Sequence, residues 1–251
     1  MPCAGAAISS TLLKFFHATG TFINYGYGAT ETTATVSCFK SDTYNFDYCG
    51  SIMPEVFIEI GDQNEILIKG KTIFKGYFNK PNETESVLKD GWYYSGDEGF
   101  VVDNEYLAMT ERIKDLIKTS GGKYISPQKI ELLLGQDKFI EQLVVIGDNR
   151  KYIIALIVPS FANLKELAIK LGIDPENKEL IISNDEVKQF IQERIDLCQM
   201  ELAPYEKIIK FSLLTEPFSI ENKTMTNSLK VRRKVVEHKY NTLVEEMYLS
   251  A

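Results

Sequence analysis

Cysteine pairs are the first thing this sequence lacks. Its four cysteines, Cys3, Cys38, Cys49 and Cys198, are scattered without C-x-x-C spacing, which excludes a zinc ribbon and a dense disulfide framework. A surplus of positive charge is missing too. Against 35 acidic residues stand 28 basic ones, a formal charge of −7, so no global field draws the chain to DNA, RNA or an anionic membrane. A nucleic-acid role would need a local basic patch, and the expectation is no nucleic-acid partner. Apolar runs are short: Tyr152 to Pro159 is among the longest, far below the ~20 residues that cross a bilayer. No basic stretch followed by an apolar one opens the chain, and there is no internal repeat or low-complexity tract. These absences point to a reducing, cytoplasmic setting without a transmembrane segment, compatible at most with peripheral membrane contact.

What is present is ample material for a core. The chain has 251 residues, 44% of them hydrophobic, which fits one large domain or two small ones at roughly 150 residues per domain. Ser9-Ser10-Thr11 reads as the cap of a helix from Leu12 to Ala18 closed by Gly20, and Thr21 to Tyr25 as a strand leading into the loop Gly26 to Glu31. Glu55 to Ile60 and Glu65 to Lys69 flank a polar turn as a hairpin. From Phe74 to Tyr106 the Gly-, Asn- and aromatic-rich pattern predicts short β elements rather than helices. The grammar then changes. Ser126-Pro127 starts a helix, Leu143 to Ile146 and Tyr152 to Val158 are apolar strands, and helices follow near Phe161 to Leu171 and Asp185 to Leu202. Ile208 to Leu214 is a further strand, and Val231 to Tyr248 closes the chain as one amphipathic helix. The fold class expected is α+β, with a β-rich part over residues 1–110 and an α+β domain over 111–251.

Three stretches carry chemistry. In Gly26-Tyr27-Gly28-Ala29-Thr30-Glu31 the glycines would let backbone amides approach an oxyanion, Thr30 could donate to a phosphate, and Glu31 could hold a hard cation such as Mg²⁺. The same six residues also read as an ordinary glycine turn capped by Thr and Glu. Asp97, after Ser95-Gly96, is placed to accept hydrogen bonds from ribose hydroxyls or simply to satisfy its own turn. Arg112 and Gly121-Gly122-Lys123 follow, each readable alone as a surface charge or a plain loop.

Taken in order, these stretches resemble the adenylate-forming superfamily of acyl-CoA synthetases, peptide-synthetase adenylation domains and beetle luciferases. Ala4-Gly5-Ala6-Ala7-Ile8 is similar to the adenine-contacting segment, and Tyr27-Gly28-Ala29-Thr30-Glu31 to the Tyr-Gly-x-Thr-Glu signature. Gly76-Tyr77 through Thr84 resembles the Gly-Tyr-x-x-x-Pro-Glu-x-Thr run, and Ser95-Gly96-Asp97 the Thr/Ser-Gly-Asp signature. Glu111 to Lys118 resembles the hinge, and Lys230 to Lys234 the C-terminal lysine region. The resemblance implies that Tyr27 stacks on adenine and that Gly5, Ala6 and Gly28 line the nucleotide. It further implies that Thr30 contacts the α-phosphate, Glu31 binds Mg²⁺, and Asp97 with Arg112 holds the ribose. Lys230 would be the catalytic lysine, its ammonium bridging carboxylate and α-phosphate oxygens as charge builds on them. Its other reading is one more lysine among Lys223, Arg232, Arg233, Lys234 and Lys239.

By the same resemblance the substrates are ATP, which leaves as AMP, coenzyme A and a long-chain fatty acid, the last because Met225-Thr226-Asn227-Ser228-Leu229-Lys230 looks like the long-chain type. Rotation about Glu111 would exchange Lys230 for the Gly121-Gly122 face of a small mobile C-terminal domain. Asn227 stands where the family usually has Pro, which leaves the approach to Lys230 less restrained. The Ser/Thr/Gly-rich phosphate loop ending in Pro-Lys is missing from all 251 residues. The expectation is therefore a C-terminal portion of a longer ligase, inactive alone and prone to self-association through the face its missing body would cover. Two rivals remain open: a non-catalytic nucleotide- or CoA-binding module, and an adenylation domain that hands its acyl group to a carrier protein.

Overall fold

The computed structural model describes residues 1–6, 8–39 and 44–249, without the side chains of residues 111 and 114. Two compact units divide it, Met1–Lys114 and Asp115–Ala251. It is an α+β structure throughout.

The first unit opens with β1 (Pro2–Cys3), α1 (Ser10–Ala18) and β2 (Asn24–Tyr27). The Ser9 hydroxyl accepts the Leu12 N–H at 3.2 Å, satisfying one of the free donors of the first turn of α1. β1 and β2 run parallel, Cys3 opposite Tyr25. The strand lies later than Thr21–Tyr25 because Gly26 and Tyr27 pair with β3 (Ser37–Cys38), which draws the glycine into the sheet. β4 (Ser51–Ile52) follows, then the expected hairpin of β5 (Val56–Ile60) and β6 (Glu65–Gly70). A helix, α2 (Pro81–Val87), stands where short β elements were expected. Pro81 in its first turn lacks only an amide that would go unsatisfied anyway, and Glu83 sits favourably near the helix N-terminus. β7 (Leu88–Lys89), the long β8 (Trp92–Val102) and β9 (Tyr106–Arg112) complete a nine-stranded sheet. Its order is β1-β2-β3-β4-β9-β8-β6-β5, with β7 on β8. Ile66, Ile68, Leu107, Val36 and Tyr93 lie in its core.

The second unit begins with a small hairpin, β10 (Ile117–Lys118) and β11 (Tyr124–Ile125), and then α3 (Pro127–Leu134), whose Ser126 cap accepts the Lys129 N–H at 3.2 Å. Its centre is a three-stranded sheet, β12 (Ile140–Ile146), β13 (Ile153–Pro159) and β14 (Ile208–Leu213), antiparallel between the first pair and parallel between the second. Alternation divides the side chains of β12 and β13 between two cores. Leu143, Val145, Ile153, Ala155 and Ile157 meet α3, α4 (Phe161–Lys170), α5 (Lys178–Ser183) and α6 (Asp185–Cys198). Val144, Ile146, Ile154, Leu156 and Val158 meet the C-terminal helices. With both faces covered, every residue of β13 is buried. The single closing helix expected over 231–248 is instead α7 (Arg233–Lys239) and α8 (Asn241–Leu249), broken at Tyr240. The break lets Val236 on one piece and Val244 and Met247 on the other reach the same apolar face. No helix among the described residues is long and apolar enough to cross a membrane.

Candidate active site

A buried carboxylate organises the first unit's candidate site. Asp97, 7% exposed, lies in β8 directly across from Arg112 in β9, and its Oδ1 stands 3.3 Å from the Arg112 Nε. The Tyr27 hydroxyl, at the end of β2, donates to Asp97 Oδ2 at 2.6 Å. The Asp97 N–H donates to Ser95 Oγ at 3.0 Å, while the Ser95 hydroxyl donates to the Ile66 carbonyl at 2.7 Å, fixing the Ser-Gly-Asp turn to β6. Burial, and then the Asp97 charge, push the Tyr27 hydroxyl far above its ordinary value, so it stays a donor. Tyr27 itself is 8% exposed, a core ring as much as a site residue.

Next to this triad lies a second pair. The Tyr77 hydroxyl donates to Glu31 Oε1 at 2.7 Å, and the Phe74 N–H donates to the Glu31 carbonyl at 2.8 Å. Burial and that carboxylate push the Tyr77 hydroxyl up to about 12, with Arg112 pulling the other way. Tyr93 is raised as well, first by burial and then by the charges of Glu31, Tyr77 and Asp97, again opposed by Arg112. Glu31, Tyr77, Tyr93, Asp97 and Arg112 therefore share one electrostatic neighbourhood. Sequence reasoning missed Tyr77 and Tyr93 as members of it. Aromatic residues crowd 74–78 and 92–94, but loop sequence carries no period that says which ring turns inward.

The Thr-Glu loop is built on close approach. A Cβ on Gly28 would lie 1.5 Å from the Ala34 carbonyl oxygen, so glycine is required there by the fold of the loop itself. Buried Thr32 ties the loop by accepting the Ala29 N–H at 2.9 Å and donating to the Ala29 carbonyl at 3.0 Å. Thr30 is exposed at the start of a short turn of 3₁₀ helix, Thr30–Thr32. Gly5 and Ala6 follow β1 as exposed backbone, and nothing lies within 4 Å of a Cβ built on Gly5. Because β1 and β2 are parallel, Gly5-Ala6 and Gly28 leave the sheet on the same side, at the carboxyl ends of these two strands. Ala7 of the same segment lies outside the described residues.

The remaining candidates are in or near the second unit. Glu111 lies in β9 opposite Glu98 by backbone register, its side chain outside the description. Gly121 and Gly122 form the exposed turn of the β10–β11 hairpin, where the Gly122 N–H donates to the Thr119 carbonyl at 2.9 Å and Gly122 takes a φ of +76°. Lys230 sits in an exposed loop before α7. Its N–H donates to Thr226 Oγ1 at 3.1 Å and its carbonyl accepts the Thr226 N–H at 2.9 Å, so Thr226 supplies restraint that a proline at 227 would otherwise give.

Residues 114–251 match the AMP-binding enzyme C-terminal domain, and residues 1–78 match the AMP-binding enzyme family. Long-chain-fatty-acid–CoA ligase 5 of Rattus norvegicus is 33% identical over the whole chain, and long-chain-fatty-acid–CoA ligase FadD15 of Mycobacterium bovis is 31% identical over 97% of it. The chain spans 39% and 41% of the lengths of these relatives. Among solved structures, the adenylation domain of a carboxylate reductase from Mycobacterium chelonae superposes on 99% of the chain with a TM-score of 0.82 at 23% identity, over 38% of its own length. The o-succinylbenzoate CoA synthetase of Bacillus subtilis, solved with its acyl-adenylate intermediate, covers 94% at 0.72 and 22% identity, over 45% of its length. The matches run through both units, and this chain belongs to the AMP-binding enzyme family of adenylate-forming ligases.

Proposed function

We propose that the chain supplies the ribose-binding cluster and the lysine-bearing C-terminal domain of a long-chain fatty acid–CoA ligase. In that reaction a fatty carboxylate attacks the α-phosphorus of ATP, pyrophosphate leaves, and the thiol of coenzyme A then displaces AMP from the acyl-adenylate. The observation that carries this reading is the Tyr27–Asp97–Arg112 cluster. It holds a buried carboxylate in one orientation beside the carboxyl edge where Gly5, Ala6 and Gly28 emerge. A carboxylate so fixed would receive hydroxyls of a ribose, with Arg112 and Tyr27 holding its orientation. The names of the relatives support the long-chain acyl substrate.

The other roles follow from chemistry. Thr30, exposed at the loop's crest, would donate to the α-phosphate. Among the described residues no three or more acidic, His or Cys side chains cluster to hold a metal. Glu31 would serve as a lone carboxylate ligand to a Mg²⁺ ion delivered with nucleotide phosphates, a cation that usually takes only one or two carboxylates. When bound, the ion would neutralise phosphate charge. Tyr77 fixes which way the Glu31 carboxylate faces. Lys230, on its exposed loop, would bring an ammonium to the oxygens that gain negative charge during adenylation, and Glu111 would be the pivot that replaces it with the Gly121-Gly122 turn for thioester formation.

The test is a pair of half-reactions in an intact ligase carrying this chain. Lys230→Ala should slow adenylate formation by orders of magnitude and leave thioester formation from pre-made acyl-adenylate intact, because the charge is needed only where carboxylate meets phosphate. Equal loss in both removes Lys230 from this role.

A further inference from the structure

β12 is an edge strand of the second unit's sheet, and an edge strand turns N–H and C=O groups outward that need partners. Side chains meet them here in place of a fourth strand. The Val145 N–H donates to Glu131 Oε1 at 2.8 Å, and the Val145 carbonyl accepts from the Arg233 guanidinium, which also grips both oxygens of Glu131. Earlier on the same strand, the Gln142 carboxamide offers Phe218 what a backbone would. The Phe218 N–H donates to Gln142 Oε1 at 2.6 Å, and Gln142 Nε2 donates to the Phe218 carbonyl at 3.0 Å.

These two fasteners bracket one segment. The chain leaves the sheet after Leu213, passes Phe218, turns through Thr224, which is 1% exposed, and projects residues 225–231 as a loop. A bridge between Met225 and Val231 and a hydrogen bond from the Arg232 N–H to the Thr224 carbonyl, 2.8 Å, close its neck. Arg233 then returns to β12. Residues 226–230 are all exposed, so no buried side chain of the loop itself sets where Lys230 points. Thr226 fixes the loop's internal shape through its bonds to Lys230, and where the loop as a whole is aimed is set by the stems, both of which are tied to β12.

We infer that Glu131 and Gln142 are positioning residues for Lys230: they turn the unpaired edge of β12 into the mount of the catalytic loop. The inference rests on the ligase reading of Lys230 and goes beyond it. Arg194–Asp137 and Lys129–Glu206 join elements without reaching either stem, whereas Lys239–Glu216 ties α7 to the carboxylate that Asn222 also donates to, away from β12. Glu131→Gln keeps the shape and removes the charge that the guanidinium fork needs. Gln142→Ala frees the other stem.

Two measurements test this. In the 251-residue chain, either variant should speed amide hydrogen exchange at Thr226 and Leu229 while the amides of β13 keep their protection. In an intact ligase carrying the chain, either should lower kcat for adenylation about 10- to 100-fold, the loss that follows a misplacement of about 1 Å. KM for ATP and fatty acid, and the thioester half-reaction, should hold. Unchanged loop exchange and unchanged adenylation overturn the inference, as does equal loss in both half-reactions. Lys230→Ala run in parallel separates the two levels. A normal Lys230→Ala defect beside unaffected Glu131→Gln and Gln142→Ala defeats this inference alone, whereas intact adenylation in Lys230→Ala defeats the ligase reading and this with it. If Glu131→Gln does not fold, Gln142→Ala is read by the same criteria.

Discussion

Tyr27→Phe deletes one oxygen atom from the first unit and leaves its ring in the core. The lost hydroxyl donates at 2.6 Å to a carboxylate that is 7% exposed, so Asp97 keeps its Arg112 contact at 3.3 Å but loses a charge-assisted bond away from water. Bonds of that class contribute about 1.5–3 kcal/mol. Taking about 2 kcal/mol, and 4–8 °C per kcal/mol for a domain of roughly this size, the first unit should melt about 10 °C lower. The chain's one tryptophan, Trp92, is in β8 of that unit, so its fluorescence follows the first unit alone. Far-ultraviolet circular dichroism follows mainly α3 to α8 of the second, an internal control. Alkaline pH adds a second signature. The folded Tyr27 hydroxyl titrates above its unfolded value of 10.0, so at alkaline pH the folded state holds the extra proton. Stability is full below that pH and falls as pH rises past it, by about 1.4 kcal/mol per pH unit for each such group, and Tyr27→Phe should fall less steeply. An unchanged fluorescence midpoint, or an equal drop in both signals, would refute the reasoning.

Gly28→Ala should dismantle the loop from 28 to 34, because its Cβ would sit inside the Ala34 carbonyl, and equilibrium dialysis should then find no AMP binding. Leu156→Ala, at a fully buried position of β13, should cost about 2–5 kcal/mol and lower the dichroism transition without moving that of Trp92. The unaltered chain should bind AMP more tightly than ATP in calorimetry, since no glycine-rich cradle for the β- and γ-phosphates exists in its sequence; tighter ATP binding would point to a phosphate site elsewhere. Limited proteolysis should nick first between Arg112 and Gly122, and early cuts within Asp185–Cys198 would count against a flexible junction there.

Much of the architecture is written in local signals. Ser9 and Ser126 cap the helices they announce, and the β5–β6 hairpin forms around its polar turn, because these features depend on residues a few positions apart. Where partners are distant, the signal fades. β2 slides toward Gly26 and Tyr27 because Ser37–Cys38 offers them hydrogen bonds, and no rule of strand propensity contains that partner. The break at Tyr240 is marked by no proline or glycine, and α7 and α8 still bring Val236, Val244 and Met247 into one core. The candidate site divides in the same way. Motif order marks Glu31, Asp97 and Arg112, which the structure brings into one cluster, as it marks Thr30 and Lys230, whose roles stay proposals. Tyr77 and Tyr93 join the cluster through burial, which pushes their hydroxyls up, and burial is a property of the assembled sheet.

The seven apolar residues of β13 have a consequence for how the second unit is made. β12 precedes β13 across a tight turn and can pair with it as soon as both are synthesised. The parallel partner on the other edge, β14, arrives only after α4, α5 and α6, with Ile208 opposite Ile153. During that interval an apolar strand without a charge or an internal proline has one open edge, which is the profile of a segment that recruits the same strand from another chain. Yield of soluble protein should therefore be governed by the delay between β13 and β14 rather than by final stability. Slower synthesis at low temperature, or a lysine near the strand's end, would act on that interval.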